Sequence, residues 1–150
     1  MSGAVISLME PRHLDEVLVI ENASFSSPWT RESLSKDLTE NERAVYIVAT
    51  IDGAVVGYAG MWHIVNEGHI TNVAVKEGQR RTGIGDILVD GLVAEAISRD
   101  IFAITLETRV SNAAAQKLYA KHGFKPEGFR KGYYADDRED AVIMWKYLNK

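Results

Sequence analysis

The sequence predicts an α/β domain on one mixed β-sheet, and three observations carry that prediction. Short runs rich in β-branched residues recur at 5–8, 44–51, 55–62, 70–75, 101–108, from 124 onward and at 141–147. Between them lie segments with helical periodicity, so strands and helices alternate instead of clustering. Turn signals punctuate the boundaries, the clearest being Asp52-Gly53, a two-residue hairpin between two strand-like runs.

Taken in order, the first strand ends at Pro11, and Leu14, Val17, Leu18 and Ile20 begin a helical pattern that breaks at Ser26-Ser27-Pro28. Thr30 is placed to cap a second helix carrying Leu34 and Leu38. Three strands follow as a meander. Ile84, Leu88, Leu92 and Ala96 then recur every four positions as the apolar stripe of a long helix. A strand leads to a further amphipathic helix, 113–122, which stops at Gly123, a residue suited to the left-handed conformation that ends helices. With 150 residues and no linker, repeat or low-complexity stretch, residues 1–150 are expected to form one domain.

Composition narrows the function. A formal charge of −4 argues against a nucleic-acid binder working by phosphate neutralisation. The absence of cysteine removes disulfides, thiolate metal sites and a cysteine nucleophile. The four histidines show no metal-ligand spacing, so no metal is expected. Residues 1–8 lack the pattern of a signal peptide and no apolar run is long enough to span a membrane, so a cytoplasmic protein is expected.

The most informative stretch is Val73-Ala74-Val75 followed by Arg80-Arg81-Thr82-Gly83-Ile84-Gly85-Asp86. A strand runs into a turn, and two glycines open a helix. Glycines let an anion approach the backbone, and the first amides of the helix point at it. A Walker loop requires Lys-Ser/Thr after its glycines, and a dinucleotide loop requires a third glycine; both are missing.

The complete pattern, Arg80-x-x-Gly83-x-Gly85 with Asn112-x-x-Ala115-x-x-Leu118-Tyr119 and Gly123-Phe124, resembles the GNAT superfamily of acyl-CoA-dependent N-acetyltransferases. That resemblance implies the GNAT fold, a single mixed, mostly antiparallel sheet of six to seven strands flanked by about four helices. It also implies that acetyl-CoA is the cosubstrate. Its pantetheine arm would lie along Val73, Ala74 and Val75, and its pyrophosphate in the loop Arg80 to Gly85, with Asn112 and Tyr119 near the cofactor. Asp86 departs from the pattern: a first-turn carboxylate suits a helix start but repels a pyrophosphate, so it is expected to point away.

Further segments, Glu21-x-x-x-Phe25-x-x-Pro28-Trp29-Thr30, Leu106-Glu107-x-Arg109-x-Ser111-Asn112 and Tyr133-Tyr134 with Arg138-Glu139-Asp140-Ala141, resemble the bacterial family that acetylates the N-terminal alanine of a small-subunit ribosomal protein. The resemblance implies Glu107 as general base and Tyr119 as general acid. It also implies a peptide N-terminus as partner, held by Phe25, Trp29, Tyr133 and Tyr134. Glu67, which shares a face with His69 by alternation, is a competing base. Acetylation of lysine side chains or small amines, and acyl-CoA sensing without turnover, remain open alternatives.

Overall fold

The computed structural model describes residues 3–25 and 28–148; Ser26 and Ser27, where the sequence suggests a helix break, lie outside the described residues. In chain order the elements are β1 (Val5–Leu8), a 3-10 turn (Pro11–His13), α1 (Leu14–Ser24), α2 (Arg31–Glu40), β2 (Ala44–Ile51), β3 (Ala54–Ile64) and β4 (Glu67–Val75). They continue with α3 (Ile84–Ser98), β5 (Ala103–Arg109), α4 (Ala113–Lys121), β6 (Lys125–Arg130) and β7 (Ala141–Tyr147). The strands form one seven-stranded sheet in the order β1-β2-β3-β4-β5-β7-β6. Only β4 and β5 run parallel; every other neighbouring pair is antiparallel.

Local chemistry explains the joints. Asp52 and Gly53 both have positive φ, 52° and 83°, the twist a two-residue hairpin requires. Thr30 accepts a hydrogen bond from Ser33 N at 3.0 Å and so caps α2. The 3-10 turn at Pro11 is the one element that periodicity did not reveal: three residues are too few to show a pattern.

The sheet carries a core on each face. Ile84, Leu88 and Leu92 of α3 pack with Tyr119 and Phe124 on one side, against Ile47, Ala59, Ile104 and Leu106. On the other, Val17, Leu18 and Ile20 of α1 and Leu34 of α2 pack against Tyr46, Val48 and Tyr58.

A β-bulge in β4 positions the site. Met61 pairs with Ile70 but Gly60 pairs with Asn72, leaving Thr71 as the extra residue. Ile70 therefore joins the α3 core, whereas Ala74 joins the α1 core and Asn72 bonds to Glu21 of α1. Beyond His69, β4 makes no further pairing with β5: the parallel register covers only Glu67 with Ala103, Gly68 with Ile104 and His69 with Thr105. The sheet opens there into a seam between two diverging strands.

Gly60 is required beside the bulge, because a Cβ at that position would collide with the Tyr46 ring and lie 2.9 Å from Thr71 Oγ1. Gly60→Ala is expected to lower unfolding free energy by about 1–3 kcal/mol, the cost of overpacking a closed core. An unchanged urea midpoint would show that the strand yields freely.

Candidate active site

The seam opens into a cleft of about 950 Å³. Ile70 to Val73 of β4 and Leu106 to Arg109 of β5 form its walls. Phe25, Pro28, Trp29 and Thr30, with Tyr133 and Tyr134 and with Asn112, Ala115 and Tyr119, complete the lining. All four aromatic residues expected to grip the acceptor thus face one cavity, together with both residues expected to do the chemistry.

Glu107 sits where the strands part. Its Oε1 lies 2.7 Å from His69 Nε2, and its Oε2 accepts from Arg130 Nε at 3.1 Å. The side chain is only 7% exposed, so both partners act across little solvent. The His69 hydrogen bond, followed by the pull of Arg130, holds its carboxyl below the usual carboxylate range against the opposing effect of burial. Glu107 is therefore ionised at neutral pH and can accept a proton. It is not paired with the neighbouring Arg109, as strand adjacency suggests. Glu67 shares the face of His69 as alternation requires, but it lies outside the lining of the cleft, two positions before the last pairing of β4 with β5.

Tyr119 is buried, with its ring edge-on to Phe124 at 5.6 Å between centroids. Burial, and then the nearby Tyr134, push its phenol pKa well above the ordinary value, so the hydroxyl keeps its proton. Among the described residues it has no hydrogen-bond partner, which leaves it able to donate into the cleft.

The wall from 28 to 30 is fixed by a buried carboxylate. Glu21, 1% exposed, accepts from Tyr58 Oη, from Trp29 N at 2.8 Å and from Asn72 Nδ2 at 3.3 Å. Trp29 Nε1 donates in turn to Asn72 Oδ1 at 3.0 Å. Burial raises the Glu21 pKa, with Tyr58 and Trp29 opposing it. The sequence marks Glu21 only as the first residue of the segment running to Thr30 and assigns it no role, although a signal for its burial was present. Glu21 falls four positions after Val17 and three after Leu18, on the face that enters the core.

Arg109 organises the opposite wall. Its guanidinium donates to Asp136 at 3.0 Å, to Asp137 at 2.9 Å and to Glu139 at 3.0 Å, and its Cζ lies 4.1 Å over the Tyr134 ring. The acidic run 136–140 thus wraps a cation. Tyr134 packs edge-on against Tyr133 at 5.0 Å, and burial with its neighbour pushes its pKa up to about 12. Lysine cannot reproduce a planar fork that serves three carboxylates and a ring. Arg109→Lys is expected to raise KM for a peptide acceptor about 10- to 100-fold through misplacement of the tyrosines, with KM for acetyl-CoA unchanged. Equal changes in both constants would refute this division.

The loop 76–83 is the candidate anion cradle. Arg81 and Gly83 have positive φ, 67° and 88°, and Gly83 precedes the first turn of α3. Ile87 N makes the first intrahelical bond, to Gly83 O at 3.2 Å, so the amides of Ile84, Gly85 and Asp86 have no helical acceptor. Gly85 lies close to Leu118, where an added Cβ would stand 3.3 Å from Cδ2. Arg80 donates to Val75 O at 3.1 Å and to Ser24 Oγ at 3.4 Å, tying the loop to β4 and α1. Thr82 Oγ1 bonds to Gln79 O within the turn. Asn112 caps α4 by accepting from Ala115 N at 3.0 Å, so its amide NH2 is the half that can serve a ligand. Asp86 turns toward the end of α4, bonding Lys121 at 3.2 Å and His122 at 2.9 Å.

Of the strand residues, Val73 lines the cleft, Val75 packs toward α3, and Ala74 is buried against α1. What β4 can offer a ligand is the backbone of its open edge, together with the Val73 side chain. A long, thin molecule with an anionic end fits this arrangement: a strand edge for an amide-bearing arm, continuous with a helix start for phosphates. Among the described residues no group of three or more His, Asp or Glu side chains is placed to hold a metal ion.

A split sheet, with Glu107 and Tyr119 lining the cleft at the split and a helix start whose first amides lack helical acceptors, is an arrangement suited to acyl transfer. Residues 14–124 match the acetyltransferase (GNAT) family, and the chain belongs to it. It is 42% identical over 147 residues to a Bacillus subtilis protein provisionally named a ribosomal protein bS18-alanine N-acetyltransferase, covering 98% of this chain and 97% of that one. It is 33% identical over 141 residues to the Escherichia coli ribosomal protein bS18-alanine N-acetyltransferase, covering 93% and 94%. The crystal structure of the ribosomal-protein-S18-alanine N-acetyltransferase from Escherichia coli superposes with a TM-score of 0.89 at 31% identity, over 98% of this chain and 95% of that one.

Proposed function

We propose that this enzyme transfers the acetyl group of acetyl-CoA to the N-terminal amine of a protein beginning with alanine, and that ribosomal protein bS18 is its substrate. The observation that carries the reading is the position of Glu107, ionised and braced by His69 and Arg130 at the mouth of the seam. The two relatives named for this activity support the choice of acceptor. In this reading residues 1–150 act as one catalytic domain in the cytoplasm.

Acetyl-CoA supplies a thioester whose carbonyl is open to attack by an amine. The chain's residues do the rest. Val73, Ala74 and Val75 hold the pantetheine arm through the open edge of β4. The cradle from Arg80 to Asp86 holds the pyrophosphate on backbone amides, and Asn112 donates from its amide. Phe25 and Trp29 on one wall, and Tyr133 and Tyr134 on the other, orient the peptide. The N–C bond forms as the C–S bond breaks; the amine proton passes to Glu107 directly or through water, and Tyr119 Oη protonates the departing sulfur.

A carboxylate base suits this acceptor. An N-terminal amine has a pKa of about 7.7–8.0, against about 10.4 for lysine. Roughly a tenth of the former is neutral at pH 7, a few hundred times the fraction for lysine. A panel of peptides with free alanine, blocked alanine plus lysine, and small amines tests the proposal. Turnover confined to the free alanine terminus is expected; preference for lysine or a small amine would replace it, and binding without turnover would leave an acyl-CoA sensor. Mass spectrometry of ribosomal proteins with and without the enzyme identifies the physiological target.

A further inference from the structure

Asp86 poses a problem for the cradle. It carries a negative charge in the first turn of α3, beside the amides that would receive a pyrophosphate. Its surroundings show how that charge is handled. His122, the residue that ends α4, lies between two carboxylates of α3, with Nε2 2.9 Å from Asp86 and Nδ1 3.1 Å from Asp90. Asp86 and Asp90 are one helical turn apart, so a single imidazole spans both. Lys121 adds a cation 3.2 Å from Asp86. The His122 side chain is 13% exposed and Asp86 30%, whereas Lys121 and Asp90 are largely in solvent. The imidazole thus meets both carboxylates, one through each ring nitrogen. Lys146 is the further charge near this end of α4, beside Gly123. The His122 hydrogen bond, with Lys121 behind it, holds the Asp86 carboxyl below its usual range.

The consequence reaches the chemistry, because α4 carries Tyr119. Its carbonyl accepts from His122 N and Phe124 N, both at 3.0 Å, so the turn containing His122 closes directly on the candidate acid. The clamp therefore joins the start of α3, where the phosphates would rest, to the helix that serves the thioester.

We propose that His122 is a positioning residue for acetyl-CoA: it draws the Asp86 charge away from the phosphate cradle and locks α4 onto the first turn of α3. This proposal rests on the reading of the α3 start as the pyrophosphate site. His122→Phe keeps a ring and removes both ring nitrogens. It is expected to raise KM for acetyl-CoA about fivefold, the size of a first-turn charge effect at a helix end, with kcat changed less than twofold. The double variant D86N/H122F has no carboxylate left in the first turn of α3, so its KM is expected to return to near the wild-type value. A packing role alone cannot produce that recovery, because the double variant packs no better than the single one.

Calorimetric titration with coenzyme A, run alongside Gly83→Val, separates the two levels of the argument. Loss of binding in Gly83→Val with unchanged binding in His122→Phe keeps the cradle and overturns the clamp. Unchanged binding in Gly83→Val overturns the cradle and the clamp with it. A double variant as weak as His122→Phe also overturns the clamp.

Discussion

Replacing Glu107 with glutamine is expected to lower kcat/KM for an alanine-terminated peptide by about 10²- to 10⁴-fold, the usual worth of a positioned general base. Glutamine keeps the shape and can still meet His69 and Arg130, so acetyl-CoA affinity should hardly move. The same substitution has a signature in stability. Glu107 is held below the ordinary carboxylate range, by His69 first and Arg130 after it. A depressed carboxylate contributes stability above its unfolded pKa of about 4.3, and that contribution is lost as pH falls through the lower folded value. The gap in unfolding midpoint between wild type and E107Q should therefore narrow on acidification from about pH 6 to about pH 3. Full activity in E107Q across pH would remove Glu107 from the chemistry and point to Glu67, the competing base on β4.

Tyr119→Phe is expected to reduce kcat about 100-fold while KM for acetyl-CoA stays near its wild-type value. The phenylalanine ring preserves the edge-on contact with Phe124 and removes only a hydroxyl that makes no other bond among the described residues. Fold and thermal midpoint should thus survive. Burial raises the phenol pKa, so loss of this proton should not limit the rate below about pH 10. A raised KM with unchanged kcat would assign Tyr119 to packing.

The sequence made the architecture legible where local rules dominate. Asp52-Gly53, Thr30 and Gly123 mark their turns and caps by their own chemistry, and the four-residue recurrence of Ile84, Leu88, Leu92 and Ala96 marks α3. The cleft lining was readable for a different reason: Phe25, Trp29, Glu107, Tyr119, Tyr133 and Tyr134 stand in motifs resembling those of a known family. What escaped depends on contacts distant in sequence. His69 and Glu107 are 38 residues apart, Glu21 and Asn72 are 51 apart, and Arg109 meets its carboxylates 27 to 30 residues on. Periodicity places each on a face, but only strand order tells which faces meet. The carboxylates of 136–139 likewise give no sign in sequence of the cation they surround, because it lies on another strand.

The open seam between β4 and β5 also bears on how long the protein lasts. Along that edge the backbone lacks the ladder that protects a closed sheet, so local opening should begin there. A molecule that fills the seam stabilises only the folded chain, by about 2.7 kcal/mol when present at a hundred times its Kd. Resistance to proteolysis should then track the supply of acetyl-CoA, and a cell short of the acetyl donor would also clear its unloaded enzyme faster.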